Sequence, residues 1–243
     1  MANSHFQFKQ FTIHQDKCAM KVTTDSCLFG AWAAEKVKLL DPGINKGLDI
    51  GTGTGLLSLM LAQQSNIYFD ALEIDVNATK QAQENVLLSP WKERINVLNF
   101  DAIEFSNTTL YDLIISNPPF YENELKGKNS GKNIAHHDGG LLLPELLSII
   151  KRNLAANGVF LLLLPYKRHE EIRKLFTEHE LVIEQITFVK QSVNHDYFRI
   201  MLAGRLQSAW PAETIINDIA IKSEDDKYTP AFTELLKDYY LYL

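Results

Sequence analysis

The sequence predicts an α/β fold: a doubly wound, mostly parallel seven-stranded sheet finished by an antiparallel strand pair. Three observations predict it. From Leu48 onward, short apolar runs alternate with segments of helical composition, as in Leu48-Asp49-Ile50, Ile67 to Ile74, Ile95 to Phe100 and Leu113-Ile114-Ile115, which is the order of a parallel sheet. The first run leads straight into a glycine-rich turn and a helix. The last two runs, Leu181 to Val189 and Tyr197 to Leu206, have no helix between them and so pair antiparallel.

A chain of 243 residues fits one α/β domain with additions, and 46% hydrophobic residues supply a sizeable core. No apolar run is long enough to cross a membrane. The start, Met1-Ala2-Asn3-Ser4-His5-Phe6, lacks the charged and apolar regions of a signal peptide. The two cysteines, Cys18 and Cys27, have no zinc spacing and are expected as free thiols in a reducing compartment, the cytoplasm. The net charge of −6 speaks mildly against a nucleic-acid partner, which usually leaves a basic footprint, so any such partner must rely on local basic patches.

The chain reads as a single domain in three parts: an N-terminal segment 1–45, a core 46–206 and a C-terminal extension 207–243. In the first, Phe6 to Ile13 alternates apolar and polar residues and predicts a strand or hairpin. Leu28 to Leu40 reads as a helix, with Asp25 or Ser26 placed to cap it. Asp41-Pro42-Gly43 ends that helix and begins the core.

Leu48-Asp49-Ile50 then runs into Gly51-Thr52-Gly53-Thr54-Gly55, followed by the helical Leu56 to Ala62. A dinucleotide site needs G-x-G-x-x-G, and Leu56 stands where its third glycine belongs. An acidic residue two positions before the first of three alternating glycines is instead the spacing of S-adenosylmethionine (SAM) binding. Asp49, Gly51, Gly53 and Gly55 are therefore candidate cofactor residues. Two companions support them. Glu73 ends the next strand, where a carboxylate accepts from both ribose hydroxyls. Asp101 follows the strand after that, where a carboxylate accepts from the adenine amino group. Asp75 is better placed to cap the helix Val76 to Leu88.

The fourth core strand ends in Ser116-Asn117-Pro118-Pro119-Phe120. Each proline fixes φ near −65° and removes a donor, and Pro118 forces Asn117 into an extended conformation. The result is a stiff corner carrying one amide, one free carbonyl and one ring. Those groups suit methylation of a planar exocyclic nitrogen, a poor nucleophile because its lone pair is delocalised. The Asn117 oxygen and the Pro118 carbonyl grip its two N–H groups, which frees the lone pair as the nitrogen pyramidalises. Phe120 offers a face for a flat base, worth about 1–3 kcal/mol of stacking. Asn117, Pro118, Pro119 and Phe120 are the candidate catalytic set, with Asn117 also beside the cofactor.

The stretch Tyr121 to Gly140 is polar and carries Lys126, Lys128 and Lys132, the candidate substrate contacts with Phe120 in a lid-like loop. His136-His137 makes no convincing metal site, because adjacent residues seldom point the same way. No metal is expected. Pro144 starts a helix to about Ala155, Val159 to Leu164 is a buried strand, and Arg168 to Glu178 is a helix bearing Arg173 and Lys174. Tyr228 to Leu243 reads as an amphipathic helix whose tyrosines face the core.

These residues together carry a family resemblance. The chain resembles the tRNA1(Val) (adenine(37)-N6)-methyltransferases, whose target adenine lies just 3′ of the anticodon. The resemblance spans nearly the full length. It rests on Cys18-Ala19-Met20-Lys21-Val22 with Thr24-Asp25, Gly30-Ala31-Trp32, the glycine turn, Gln81 to Asn85, Ser89-Pro90-Trp91, Arg94 to Val97, Asp112 to Pro119, and Tyr228 with Tyr240-Leu241. It implies a Rossmann-like class I methyltransferase fold, SAM as cofactor, tRNA as partner and no membrane partner. It also implies that Lys21, Thr24 and Asp25 belong to a segment closing over the cofactor. Position 120 is a departure: Phe stands where many members have Tyr, which keeps stacking but removes a hydroxyl.

Two other readings compete. Protein glutamine methyltransferases share the Asn-Pro-Pro motif, since a side-chain amide is also planar, but usually carry a separate N-terminal helical domain, whereas only about 45 residues precede the cofactor motif here. A non-catalytic SAM- or RNA-binding module would typically lose Asn117 or a proline. The chain is expected to act as a monomer.

Overall fold

The computed structural model describes residues 4–40, 43–118, 141–207 and 213–243. The N-terminal segment forms the expected hairpin, β1 (His5–Gln7) paired antiparallel with β2 (Thr12–His14). Helix α1 (Thr24–Lys38) follows. Its cap is Thr23, not Asp25 or Ser26: the Thr23 hydroxyl accepts from the Ser26 N–H, and the Ser26 hydroxyl accepts in return from the Thr23 N–H. Ser26 is the third residue of a capping box. Asp25 faces elsewhere.

The core alternates strand and helix except between β5 and β6 and between β8 and β9: β3 (Lys46–Ile50), α2 (Leu56–Gln64), β4 (Tyr68–Glu73), α3 (Val76–Leu87), β5 (Ile95–Asn99), β6 (Tyr111–Ser116), α4 (Leu143–Asn153), β7 (Leu154–Pro165), α5 (His169–Glu178), β8 (Leu181–Ser192) and β9 (Tyr197–Leu206). Asp75 caps α3 as expected, accepting from the Ala78 N–H at 2.8 Å. The extension adds β10 (Ile215–Lys222) and α6 (Pro230–Leu236).

All seven expected strands are present, and the sheet has an eighth. Its order is β10-β8-β9-β7-β6-β3-β4-β5. Strands β7, β6, β3, β4 and β5 run parallel, β9 runs antiparallel between β7 and β8, and β10 pairs parallel with β8. The expected tail helix is shorter, because Thr229 caps it at Pro230 and the chain turns after Leu236.

Helices α1, α2, α3 and α6 pack on one face of the sheet, and α4 and α5 on the other. Burying one Leu or Ile stabilises by about 1.5–3 kcal/mol, and the central strands are buried on both faces. The two ends of the chain meet on the first face. Phe8 stacks on Phe11 and bridges to Tyr240, and the Lys9 N–H donates to the Tyr239 carbonyl at 2.8 Å. The buried Tyr239 hydroxyl donates to the Met60 carbonyl, so this tyrosine is a core contact, as its sequence context suggests.

The pairing of β9 with its neighbours β8 and β7 depends on one close approach. A Cβ added at Gly204 would lie 2.2 Å from the Val182 carbonyl oxygen and 2.3 Å from the Phe160 ring. Backbone has no room to yield there. Gly204→Ala is expected to destabilise by about 3 kcal/mol, the upper end for overpacking, read as a lower urea midpoint. A midpoint unchanged from wild type would show that the three strands are not packed this closely.

Candidate active site

Strand order reverses between β3 and β6. From β3 the chain proceeds to β4 and β5 on one side, then crosses to β6 on the other. In open α/β sheets ligands bind at such a switch point, outside the carboxyl ends of the strands. The glycine turn and Asn117 flank this one. Ile50 pairs with Ser116, and the Ser116 hydroxyl donates to the Ile50 carbonyl at 2.7 Å. The next residues on the two strands are Gly51 and Asn117.

The turn after β3 needs glycine. Gly51, Gly53 and Gly55 have φ of 71°, 57° and 83°, a region costly for residues with a Cβ. Gly51 and Thr52 N–H groups both donate to the Leu72 carbonyl at 2.9 Å, tying the turn to β4. A Cβ at Gly51 or Gly53 would meet nothing within 4 Å, so the turn borders open space. Gly55 stands as the N-cap residue of α2.

Asp49 lies beneath the turn and is fully buried. Its Oδ2 accepts from the Thr52 and Ser58 hydroxyls, each at 2.7 Å. Its Oδ1 is buried without a hydrogen-bond partner. Burial raises the carboxyl to about 6, against the pull of the two hydroxyls and with a smaller push from Glu73. A buried, half-satisfied carboxylate beneath a turn that borders open space is what a cationic ligand group would complete.

Glu73 ends β4 half-buried, its Oε2 accepting from the Gly53 N–H at 2.9 Å and its Oε1 from the Asp75 N–H at 3.0 Å. It thus shapes the glycine turn directly. Glu73 pairs in register with Asn99 of β5, and Asp101 follows two residues on, its Oδ1 accepting from the Ile103 N–H at 2.8 Å. Asp49, the glycine turn, Glu73, Asp101, Asn117 and Pro118 therefore share one edge of the sheet. Pro119, Phe120, Lys126, Lys128 and Lys132 lie outside the described residues.

The N-terminal segment reaches the same edge. Burial, then the Glu73 carboxylate, push the Cys18 thiol up to about 11, with Lys21 pulling the other way. The Lys21 ammonium donates to the Gln15 carbonyl, and the Gln15 side chain accepts from the Val22 N–H at 2.8 Å. Thr24 opens α1, exposed. Arg199 of β9 donates to Asp25 at 2.8 Å, across 174 positions of chain. Sequence reasoning missed Arg199, Thr52, Ser58 and Ser116. Thr52 and Ser116 had a signal, their places inside the glycine turn and just before the Asn-Pro-Pro corner.

The model of the methyltransferase small domain matches residues 37–189. A curated tRNA1(Val) (adenine(37)-N6)-methyltransferase of Phocaeicola vulgatus is 37% identical over 241 residues, covering 99% of each chain. The chain belongs to this family. A second tRNA1(Val) (adenine(37)-N6)-methyltransferase, of Dyadobacter fermentans, is 40% identical over 98% of each chain. Among solved structures, an O-methyltransferase of Agrobacterium tumefaciens, so described by prediction, matches with a TM-score of 0.63 at 15% identity, over 88% of this chain and 95% of that one. The glycopeptide N-methyltransferase MtfA, complexed with SAM, matches with a TM-score of 0.53 at 11% identity, over 73% and 93%. At such identities the two structures speak for the fold, a class I methyltransferase sheet. The methyltransferase thus has its glycine turn and its Asn-Pro corner at the switch point of that fold.

Proposed function

We propose that this methyltransferase transfers a methyl group from SAM to N6 of an adenine in tRNA, adenine 37 of tRNA1(Val) as its relatives' names state. The observation that carries the reading is the placement of Asn117-Pro118 directly beside the glycine turn, one strand apart at the switch point.

The residues fit the cofactor. The orphaned Oδ1 of Asp49 suits an ammonium, the open space beside Gly51 and Gly53 admits the amino-acid end, and Glu73 and Asp101 suit the ribose and the adenine. When bound, SAM supplies an electrophilic methyl group on sulfur. The chain's residues do the rest by positioning. The Asn117 amide oxygen and the Pro118 carbonyl accept from the two N–H groups of the target amine and turn its lone pair toward that methyl. The new N–C bond forms as the S–C bond breaks, and one amine proton leaves afterwards. The adenine first leaves its stack, at a cost of a few kcal/mol that is lower in a loop than in a duplex.

The test is methyl transfer from labelled SAM to total tRNA and, separately, to total protein of cells lacking this chain. Label in tRNA alone supports the reading. Label in a protein fraction alone would replace it with glutamine methylation. Salt gives an independent check. The net charge is −6, so RNA must be held by local lysines and arginines. Affinity for tRNA should fall steeply between 50 and 200 mM salt, as phosphate contacts release counterions. Affinity independent of salt would contradict an RNA substrate.

A further inference from the structure

Groups for the cofactor occupy the β3, β4 and β5 side of the edge, and the other side holds a cluster that they do not use. Beyond the end of β7, Tyr166 stacks on His169, with centroids 4.9 Å apart and planes 11° from parallel. Tyr166 also meets Phe188 of β8 at 5.5 Å and Tyr197 of β9 at 5.2 Å, and these two lie 5.1 Å apart. The Lys190 ammonium lies 4.9 Å from the centre of the Tyr197 ring. Lys167 is exposed beside Tyr166. Among the described residues neither lysine has a carboxylate partner.

The cluster is not ordinary core. Phe160 and Phe176, on the same face, are fully buried, whereas all four rings here are only partly buried, with Tyr166 and Phe188 packed at the rim of that core. Its position is fixed by register. Ser116 pairs with Leu162, Pro165 with Arg199, and Lys190 with Tyr197. Tyr166, just beyond β7, and Tyr197 and Lys190, on β9 and β8, therefore stand past the level of Asn117 on the side of β6 away from the cofactor groups. With about 4.8 Å between strands, the rings and lysines begin one strand from the corner and reach about 14 Å from it.

We infer that this platform of rings and lysines binds the single-stranded nucleotides flanking the target adenine. Bases stack on Tyr166 and Tyr197, and the adjoining phosphates meet Lys167 and Lys190. Proteins recognise RNA mostly where bases are unstacked, by laying them on aromatic side chains. A partly exposed ring cluster rimmed by ammonium groups is the form such a surface takes. The inference rests on the tRNA reading above and assigns the surface that carries the substrate to the corner.

The test uses the full chain with Lys167→Ala, Lys190→Ala and Tyr197→Ala. Methylation is measured against tRNA concentration at several salt concentrations, and SAM affinity by calorimetry. Tyr197→Ala is expected to raise KM for tRNA about tenfold. Each lysine variant is expected to flatten the slope of log affinity against log salt by about one. SAM affinity stays at the wild-type value in all three. Should Tyr197→Ala lose its fold, the lysine variants carry the test alone. Wild-type KM and salt slope in both lysine variants would overturn the inference while leaving tRNA methylation standing. A wild-type chain that methylates no tRNA would overturn the reading beneath it.

Discussion

Asn117→Ala is expected to lower kcat for methyl transfer by about 10²–10³, the usual loss when one preorganised polar partner is removed. The backbone around Asn117 is fixed. Ser116 is tied to the Ile50 carbonyl at 2.7 Å, and Pro118 is buried. Asn117 therefore has a rigid residue on either side, next to the glycine turn. Removing its oxygen leaves one N–H of the target amine ungripped and the lone pair delocalised. The measurement is single-turnover transfer at saturating tRNA and SAM, with a thermal melt to show that the fold is intact. A folded variant within a few-fold of wild type would remove Asn117 from the chemistry.

Asp49→Asn is expected to move stability and cofactor affinity in opposite directions. The Asp49 carboxyl titrates near 6 in the fold against an ordinary 3.8, chiefly because it is buried. Its raised value means that the stability it contributes is complete below about pH 4 and is lost as pH rises through about 6, a loss on the order of 3 kcal/mol. Asparagine removes the ionisation. Without cofactor, the variant should therefore be more stable than wild type at pH 8, with a flatter stability profile between pH 4 and 6. Its affinity for SAM should fall by about 10–100-fold, the worth of a hydrogen bond to a charged group. In the wild-type chain, SAM affinity should weaken as pH drops below about 6, because binding a cation favours the ionised carboxylate. Melting curves and calorimetry across pH check both halves. A variant that binds SAM as wild type does would show that the free Oδ1 of Asp49 faces no cofactor group.

What the sequence made legible follows from burial. The central strands are continuous apolar runs closed by Gly or Pro, because helices cover both faces, and such runs stand out. β10 did not. It is an edge strand, exposed over Ile215 to Asp218, and Asn217 and Asp218 break its apolar pattern. The Thr23 cap was obscured because Asp25 and Ser26 are equally plausible cap residues; only the return bond from Thr23 to the Ser26 hydroxyl separates them. That Asp49, Glu73 and Asn117 would share one edge of the sheet was readable because each sits at a strand end with a recognisable turn beside it. Ser58 was not, since its role depends on α2 folding back over Asp49. Nor was the bond of Arg199 to Asp25, since nothing local in either segment announces the other.

The measurement that tests the central claim most directly is nucleoside analysis of purified tRNA1(Val) from cells lacking this chain, after incubation with the protein and SAM. The account predicts N6-methyladenosine appearing at position 37, and none when that adenine is replaced by guanine. Methyl groups on another base, or a transcript that stays unmodified while the protein binds SAM, would contradict it.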